Sequence, residues 1–311
     1  MIYEDNKILV LGKNSTVGKE LRQLMPNLIY VGSDDYDLTV ESEVNDMFNT
    51  YQPYQVIFLS SKVGSIFYNL TEPSYIMEQN MKMNNLVLSY ARKYNVQHVL
   101  SMLSTCVYSP VQNIVSYPLR EELILDGPVE STNGAYALSK RFLAQYTQII
   151  NKQYGYDWSY LIPTNLYSIH DKFDPYHSHF VPALILKIYN EVYLEHKGYL
   201  EFKGTGEALR QFICASDLAK VIAMYIESDM RVVFNVAANE MSIKDMVNQA
   251  LITLGFENLE VRFDKDETKN GLHKKTASDK RFREYFPDFQ FKTFETGVRE
   301  LWAELKLRNV E

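Results

Sequence analysis

The chain has 311 residues, of which 46% are hydrophobic, and carries a formal net charge of −7. This length allows one large or two ordinary domains, and the absence of a basic block argues against a nucleic-acid partner. Two cysteines, Cys106 and Cys214, are too few for a disulfide framework and fit a reducing cytoplasm, and the apolar runs predict neither a membrane span nor a secretory leader.

Short apolar runs alternate with helical patterns over the first half of the chain. The runs that predict strands are 7–12, 27–32, 54–61, 96–105 and 157–168, and the segments with helical spacing are 15–25, 41–51, 73–94 and 134–155. Strands that alternate with helices are typical of parallel sheets. We therefore predict an α/β fold with a Rossmann-type doubly wound parallel sheet.

The rhythm changes after about residue 170. Residues 170–179 and 265–275 are polar and predict loops, whereas 232–237 predicts a strand and 242–256 an amphipathic helix. We expect a dinucleotide-binding domain at 1–168, to which segments around 205–240 partly return. A smaller α/β domain, mainly for substrate, is expected at 169–311.

A phosphate-binding loop is predicted where the first strand meets the first helix. Gly12, Ser15 and Gly18 occupy the three positions of a G-x-x-G-x-x-G loop, with serine in the middle position. Such loops bring backbone N–H groups close to a pyrophosphate, and the serine hydroxyl could donate to it as well. The alternative is an ordinary strand–helix turn.

In a Rossmann domain, the residue at the end of the second strand determines whether the adenine ribose of the bound cofactor carries a 2′-hydroxyl or a 2′-phosphate. An acid there favours a free 2′-hydroxyl, whereas arginine favours a 2′-phosphate. The chain offers Ser33 and Asp34, with Lys13 as the basic residue nearby. The choice between NADPH and NADH therefore stays open from these residues.

A tyrosine four residues before a lysine places both side chains on one helix face, where they could form a catalytic pair or a solvated surface. The pattern occurs at Tyr3/Lys7, Tyr136/Lys140, Tyr193/Lys197 and Tyr199/Lys203. Ser104 ends the fourth strand, about thirty residues before Tyr136, and strand ends form the ligand crevice of a doubly wound sheet. The position of Ser104 therefore favours Tyr136 and Lys140 as the catalytic pair among the four.

Several stretches together resemble the GDP-L-fucose synthase family of the extended short-chain dehydrogenase/reductases, whose members are 3,5-epimerase/4-reductases. The matching stretches are SSKVGSI (60–66), EQNMKMN (78–84), STCVY (104–108), YALSK (136–140), PTNLYS (163–168), HSHFVPALI (177–185) and GTGEALRQF (204–212). They cover most of the chain in order. The first stretch and the combination of the fifth and sixth are the most specific.

The resemblance implies catalytic roles for five residues. Tyr136 and Lys140 match the reductase pair, Ser104 matches the serine that holds the 4-keto oxygen, and Cys106 and His179 match the epimerase base and acid. A lysine ammonium and the positive ring of the cofactor both favour the phenolate, so we expect Lys140 and the cofactor together to lower the pKa of Tyr136. For Cys106 the alternative is a buried apolar residue, and for His179 a solvated histidine.

The resemblance also implies binding residues. Cofactor contacts are expected at Gly12, Asn14, Ser15, Thr16, Val17, Gly18, Ser33, Leu59, Ser60, Lys62, Leu103, Tyr136, Lys140, Pro163, Asn165, Leu166 and His179. Substrate contacts are expected at Asn165, Lys187, Lys203, Arg210 and Asn270. The family uses NADPH and is commonly a homodimer. This chain departs from it at Asn14, Ser15, Ser33 and Ser168.

These observations predict a cytoplasmic, NADPH-dependent enzyme that epimerises a GDP-4-keto-6-deoxy sugar at C3 and C5 and reduces C4, giving GDP-L-fucose or a close relative. One alternative is a C4 reductase without epimerase activity, acting on a hexose or heptose. Another is a nucleotide-binding sensor without turnover. His170, His177 and His179 have poor spacing for a metal and lack supporting ligands, so we expect no metal site.

Overall fold

The computed structural model describes residues 7–64, 66–111, 116–174, 178–228, 230–267 and 271–308. The strands are β1 (Ile8–Leu11), β2 (Ile29–Val31), β3 (Gln55–Phe58), β4 (His98–Met102), β5 (Ser159–Pro163), β6 (Asn165–Tyr167), β7 (Tyr199–Phe202), β8 (Leu209–Cys214), β9 (Phe234–Val236), β10 (Glu240–Ser242) and β11 (Glu260–Phe263). The α-helices are α1 (Thr16–Leu24), α2 (Glu41–Tyr51), α3 (Ile66–Thr71), α4 (Pro73–Lys93), α5 (Gly134–Tyr154), α6 (Phe180–Lys187), α7 (Ala215–Glu227), α8 (Ile243–Leu254), α9 (Lys280–Tyr285) and α10 (Phe294–Arg308).

The central sheet has six parallel strands in the order β2, β1, β3, β4, β5, β9. Strand β2 lies on one side of β1, whereas β3, β4, β5 and β9 follow one another on the other side. The strand order therefore reverses between β1 and β3. In such sheets ligands bind at the carboxyl ends of the strands around that reversal. The topology confirms the predicted doubly wound α/β fold.

Both faces of this sheet are covered by helices, which explains why its strands are apolar without alternation. All four residues of β1 (ILVL) are buried, and so are all four of β3. Helices α2, α4 and α5 pack on one face, and α1 and α7 pack on the other. The amphipathic repeat of each helix supplies the apolar stripe that fills these two layers.

A second core lies beside the main sheet. Strand β8 pairs with β6 and β10, and β7 pairs with β11. Helices α6, α8 and α10 pack with them around Leu184, Val247 and Leu301. Helix α6 continues into a π-helical segment at Ile188–Leu194.

A crossing segment (273–278) joins the two cores. Leu209 at the start of β8 donates its backbone N–H to the His273 carbonyl at 2.8 Å, and Leu119 donates to the Thr276 carbonyl at 2.8 Å. The side chain of Gln211 accepts a hydrogen bond from the Ala277 backbone N–H at 2.7 Å. These bonds fix the backbone of a stretch that begins in the predicted polar loop 265–275.

The predicted strands and helices of the first half are confirmed, with one difference. Residues 157–168 form two strands that belong to different sheets. Pro163, the last residue of β5, has no N–H to extend the ladder, and β6 then turns away to pair with β8. In the second half, β8 ends at Cys214 and α7 begins at the next residue, Ala215. No helix within the described ranges combines the length and apolarity that crossing a membrane requires.

Candidate active site

The turn between β1 and α1 is as tight as the glycine pattern predicts. Gly12 has φ +110°, a left-handed conformation that favours glycine. A Cβ added to Gly18 would lie 2.1 Å from the Gly12 carbonyl oxygen, so only glycine fits there. The turn thus needs both glycines for its own close packing.

Ser15, the residue in place of the middle glycine, is the N-cap of α1. Its Oγ accepts a hydrogen bond from the Gly18 N–H at 3.0 Å and donates to the Gly12 carbonyl at 2.8 Å. The hydroxyl is therefore engaged within the loop. The amides of Thr16 and Val17 donate to no protein acceptor in the part of the chain that the structure describes. Free amides at a helix N-terminus bind an anion readily, which fits a dinucleotide pyrophosphate.

The adenosine side of the predicted cofactor site is dominated by an ion-pair cluster. The Lys13 ammonium lies 2.8 Å from Asp34 Oδ2 and 2.6 Å from Asp35 Oδ2. Asn14 donates a hydrogen bond to Asp34 at 2.9 Å, while Ser33 is exposed. The bonds to Lys13 lower the pKa of Asp34 and Asp35 and raise that of Lys13 itself.

The segment after β3 lies directly beside this turn. A Cβ added to Gly12 would lie 3.1 Å from both the backbone nitrogen and the Oγ of Ser60. Leu59 donates its N–H to the Leu11 carbonyl at 2.9 Å. Asn80 of α4 is buried and clamps the Lys62 backbone, accepting from its N–H at 2.8 Å and donating to its carbonyl at 2.7 Å. Between these anchors lies Ser61, whose hydroxyl acts on the phenol of Tyr136 and lowers its pKa.

Tyr136 and Lys140 both lie on the buried face of α5. Tyr136 is 8% exposed and Lys140 is 2% exposed. The Lys140 ammonium donates to the Met102 carbonyl at the end of β4, at 2.8 Å, and lies 5.7 Å from the centroid of the Tyr136 ring. The pair is therefore part of the strand-end crevice and is not a solvated helix face.

Burial dominates the electrostatics of this pair. It raises the pKa of Tyr136 above its ordinary value, the nearby Cys106 raises it further, and the Ser61 hydrogen bond only partly opposes them. Burial also lowers the pKa of Lys140 to about 7. Burial therefore governs the Tyr136 pKa here, and the lowering expected from Lys140 together with the cofactor's positive ring stays a prediction for the enzyme with cofactor bound.

Ser104 and Cys106 share a short turn after β4. Ser104 Oγ caps a 3₁₀ turn at Thr105–Val107 by accepting the Cys106 N–H at 3.3 Å. Two groups donate to the Cys106 sulfur, the Asn133 amide from the start of α5 and the Lys275 ammonium from the crossing segment, each at 3.7 Å. The thiol, the phenol and the capping hydroxyl are thus gathered at the end of β4.

A partly buried charge cluster lies beside this thiol. Lys275 forms an ion pair with Glu130 at 3.1 Å, and Arg210 of β8 faces Glu130 and Tyr117. Burial raises the pKa of Glu130, but Lys275, Thr132 and Arg210 outweigh it, so its pKa is lowered. Arg210, a predicted substrate residue, is in this way brought next to the predicted epimerase base.

The predicted residues of β5 and β6 line the same edge of the sheet. Leu103 donates its N–H to the Leu161 carbonyl at 2.9 Å, beside Pro163. The Asn165 amide donates to the Gln211 carbonyl at 2.9 Å, and Leu166 packs against the core of the main sheet. Asn165 therefore ties β6 to β8.

His179 is the exposed residue before α6, and no hydrogen bond or ion pair joins it to Cys106 or Tyr136 among the described residues. Asp171 lies near both His179 and His170, and burial raises the pKa of Asp171 although the histidines oppose this. Within the described ranges, no group of three histidines, cysteines or acids could hold a metal. His177 lies outside those ranges.

The other predicted substrate residues lie around β7. Lys187 forms an ion pair with Glu191, which also pairs with Lys197, and the Lys187 ammonium lies 5.7 Å from the Phe202 ring centroid. Lys203 is exposed at the end of β7. Asn270 lies outside the described residues.

Sequence reasoning missed four polar residues at this site: Ser61, Glu130, Asn133 and Lys275. Ser61 lies within the motif SSKVGSI, and Asn133 precedes the first residue of YALSK by three positions, so local context could have indicated both. Lys275 lies in a polar stretch that reads as solvated. Only a contact between positions 145 residues apart reveals its pairing with Glu130.

Known proteins are similar to this chain over most of its length. Residues 8–237 match the model of the "NAD dependent epimerase/dehydratase family". A GDP-L-fucose synthase of Sinorhizobium fredii is 30% identical over 286 residues, covering 90% of this chain and 89% of that protein. A GDP-L-fucose synthetase structure from Naegleria fowleri superposes with a TM-score of 0.85 at 26% identity, over 100% of this chain and 96% of that one. The NADP-bound structure of that protein gives 0.81 at 28% identity, over 97% and 93%.

Proposed function

Because the chain belongs to the NAD dependent epimerase/dehydratase family, and within it to the GDP-L-fucose synthases, we propose that it converts a GDP-4-keto-6-deoxy sugar by epimerisation at C3 and C5 and reduction at C4. The product is GDP-L-fucose or a close relative, and the cofactor is NADPH. The observation that carries the proposal is the nearness of the Cys106 thiol to Tyr136, which raises the pKa of that phenol. The proposed base for C3 and C5, Cys106, and the proposed acid for the C4 carbonyl oxygen, Tyr136, thus share one site.

The free amides of Thr16 and Val17 and the tight Gly12–Gly18 turn fit the cofactor pyrophosphate. Lys13 and Asn14 would lie toward the 2′-phosphate. NADPH, when bound, supplies the hydride that C4 accepts. The protein's residues must hold the sugar ketone, move protons at C3 and C5, and protonate O4.

The C4 ketone acidifies the hydrogens on C3 and C5. Cys106 as a thiolate removes such a proton, and Ser104 and Tyr136 donate hydrogen bonds to O4 and stabilise the negative charge that develops there. His179 returns a proton to the opposite face of the same carbon, which inverts it. The raised pKa of Tyr136 suits this step, because the phenol stays protonated while the thiolate works.

Reduction reuses the same contacts. Tyr136 gives its proton to O4 as C4 accepts hydride, and Ser61 can then donate a hydrogen bond to the phenolate. Lys140, fixed on the Met102 carbonyl 5.7 Å from the centroid of the Tyr136 ring, is proposed to return a proton to Tyr136 between turnovers. Lys187 and Arg210 are proposed to hold the GDP diphosphate.

Incubation with GDP-4-keto-6-deoxy-mannose and NADPH in deuterium oxide tests the proposal. NADPH oxidation with deuterium at C3 and C5 of the product supports it. Oxidation without ring deuterium would indicate a C4 reductase that lacks epimerase activity. An enzyme that binds the nucleotides but consumes no NADPH would be a sensor. Product NMR with hexose and heptose substrates identifies the sugar.

We also propose that the enzyme works as a homodimer in the cytoplasm. Leu138 and Ile149 of α5 are 43% and 50% exposed, and this helix packs against α4, so an apolar surface is available to a second copy. Both cysteines are free, which fits a reducing compartment. Light scattering of the wild type and of Ile149→Glu tests the dimer, since a charge at that surface should shift the protein toward monomer.

A further inference from the structure

A lysine from the second half of the chain lies against the proposed epimerase base. The Lys275 ammonium is 3.7 Å from the Cys106 sulfur and 3.1 Å from a Glu130 carboxylate oxygen. Only 13% of the Lys275 side chain is exposed. Asn133 donates to the same sulfur from the other side, also at 3.7 Å.

The backbone of the crossing segment holds Lys275 in this place. Lys275 donates its N–H to the Leu209 carbonyl at 3.3 Å, and the next residue accepts a hydrogen bond from Leu119. Lys274 points to the other side, where its ammonium pairs with Glu240 at 3.0 Å. Lys274 and Lys275 therefore point in different directions, and of the two it is Lys275 that faces the thiol.

We propose that Lys275 is a positioning residue that holds Cys106 as the thiolate, ready to remove the proton from C3 or C5. The proposal rests on the assigned role of Cys106 as epimerase base. A free thiol has an ordinary pKa of about 8.5, so little thiolate exists at neutral pH without such a partner. An ammonium donating to sulfur stabilises the anion, as does the Asn133 amide.

The charges around Cys106 are consistent with this role. Burial lowers the pKa of Lys275, but Cys106 and Glu130 outweigh it, so the pKa of Lys275 is raised and the side chain keeps its proton. Arg210 adds a second positive charge to the cluster, whereas Glu130 is the negative one and Tyr136 is neutral. Lys275 is the cation in direct contact with the sulfur.

The test measures alkylation of Cys106 by iodoacetamide across pH, with peptide mass spectrometry to separate it from Cys214. Cys214 is 4% exposed and serves as an internal reference. In Lys275→Met we expect alkylation of Cys106 at neutral pH to slow about tenfold, because the thiolate loses the ammonium that stabilises it. Lys275→Arg should restore the wild-type profile, and Lys274→Met should leave it unchanged.

Glu130→Gln provides an independent variant should Lys275→Met fail to fold. Removing the carboxylate leaves the cations facing the sulfur, so alkylation should shift to lower pH. An unchanged Cys106 profile in folded Lys275→Met, or in Glu130→Gln, would overturn the proposal. The thiol readout needs no sugar turnover. A wild type whose Cys106 is alkylated rapidly at neutral pH but whose product lacks ring deuterium would thus contradict the epimerase function while leaving the Lys275–Cys106 coupling in place.

Discussion

The ammonium of Lys140 donates a hydrogen bond to the carbonyl of Met102 at 2.8 Å, and this contact ties helix α5 to the end of β4. The bond places a lysine where almost no water reaches it, with a pKa lowered to about 7 by burial. Near neutral pH the residue therefore gains and loses its proton readily. That property suits a group that returns a proton to Tyr136 after each reduction.

The first prediction concerns stability across pH. The unfolded chain keeps the lysine proton up to its ordinary pKa of 10.5, whereas the folded protein releases it near 7. Between these values the unfolded state binds more protons, so this residue makes the protein more stable as pH rises. Lys140→Met should reduce the slope of the unfolding free energy between pH 8 and 9.5 by about 1.4 kcal/mol per pH unit.

Urea titrations at several pH values give this slope for the wild type and the variant. Lys152→Met is the matched control, because Lys152 lies on the same helix but is exposed. A wild-type slope equal to that of Lys140→Met would mean that Lys140 keeps its ordinary pKa in the folded protein. In activity assays Lys140→Met should lose about 10²-fold or more in kcat.

The second prediction separates reduction from epimerisation at Tyr136. Tyr136→Phe keeps the buried ring but removes the proton that O4 receives, so NADPH oxidation should fall by about 10²–10⁴-fold. Deuterium exchange at C3 and C5 should continue at a measurable rate, because Cys106 removes those protons. Mass spectrometry of the recovered sugar nucleotide measures this exchange. Wild-type NADPH oxidation in the variant would exclude Tyr136 as the acid.

The sequence favours Tyr136 among four similar pairs, and the surroundings of the pairs that the structure describes are consistent with that prediction. Tyr193 is 41% exposed and its partner Lys197 is occupied by Glu191, while Tyr199 contacts Arg262. Among the described pairs, the one on α5 lies beside the turn after β4 that carries Ser104 and Cys106. Chain order alone places Ser104 there, because parallel strands deliver their carboxyl ends to one edge.

Other features depend on long-range contacts that no local pattern encodes. The Lys275–Glu130 ion pair joins the two cores, and the crossing segment that carries Lys275 resembles a solvated loop in sequence. The directions of the pKa shifts at Tyr136 and Lys140 could not be predicted from sequence either, because spacing shows that two groups are neighbours but not how much water surrounds them. Burial decides the direction of both pKa shifts.

The third prediction concerns cofactor preference. Lys13 is shared between Asp34 and Asp35, so a 2′-phosphate must compete with two carboxylates for it. We expect the wild type to favour NADPH over NADH only modestly. Ser33→Arg places a guanidinium at the exposed end of β2 and should raise the ratio of the two kcat/KM values about tenfold, the worth of one charge-assisted hydrogen bond.

Ser33→Gln controls for the length of the new side chain without its charge. Steady-state kinetics with both cofactors give the ratio for the three proteins. An identical ratio in Ser33→Arg and Ser33→Gln would show that the end of β2 does not face the 2′-phosphate. A wild type that uses NADH as well as NADPH would agree with the ion-pair cluster at Lys13.

The last prediction concerns Asn80, which shapes the site without reaching it. Its side chain makes hydrogen bonds to both backbone groups of Lys62 and to the Ile76 carbonyl at 2.8 Å, and it is buried. Asn80→Ala leaves the Lys62 groups unpaired and should lower the unfolding free energy by about 1–3 kcal/mol. Asn85→Ala, an exposed position on the same helix, should change it by less than about 0.5 kcal/mol.

Because the clamp also fixes Ser61 beside Tyr136, kcat should fall in Asn80→Ala at temperatures where the protein is fully folded. Urea denaturation and NADPH oxidation measure the two effects, and an Asn80→Ala enzyme with wild-type kcat would show that Ser61 is held by other contacts.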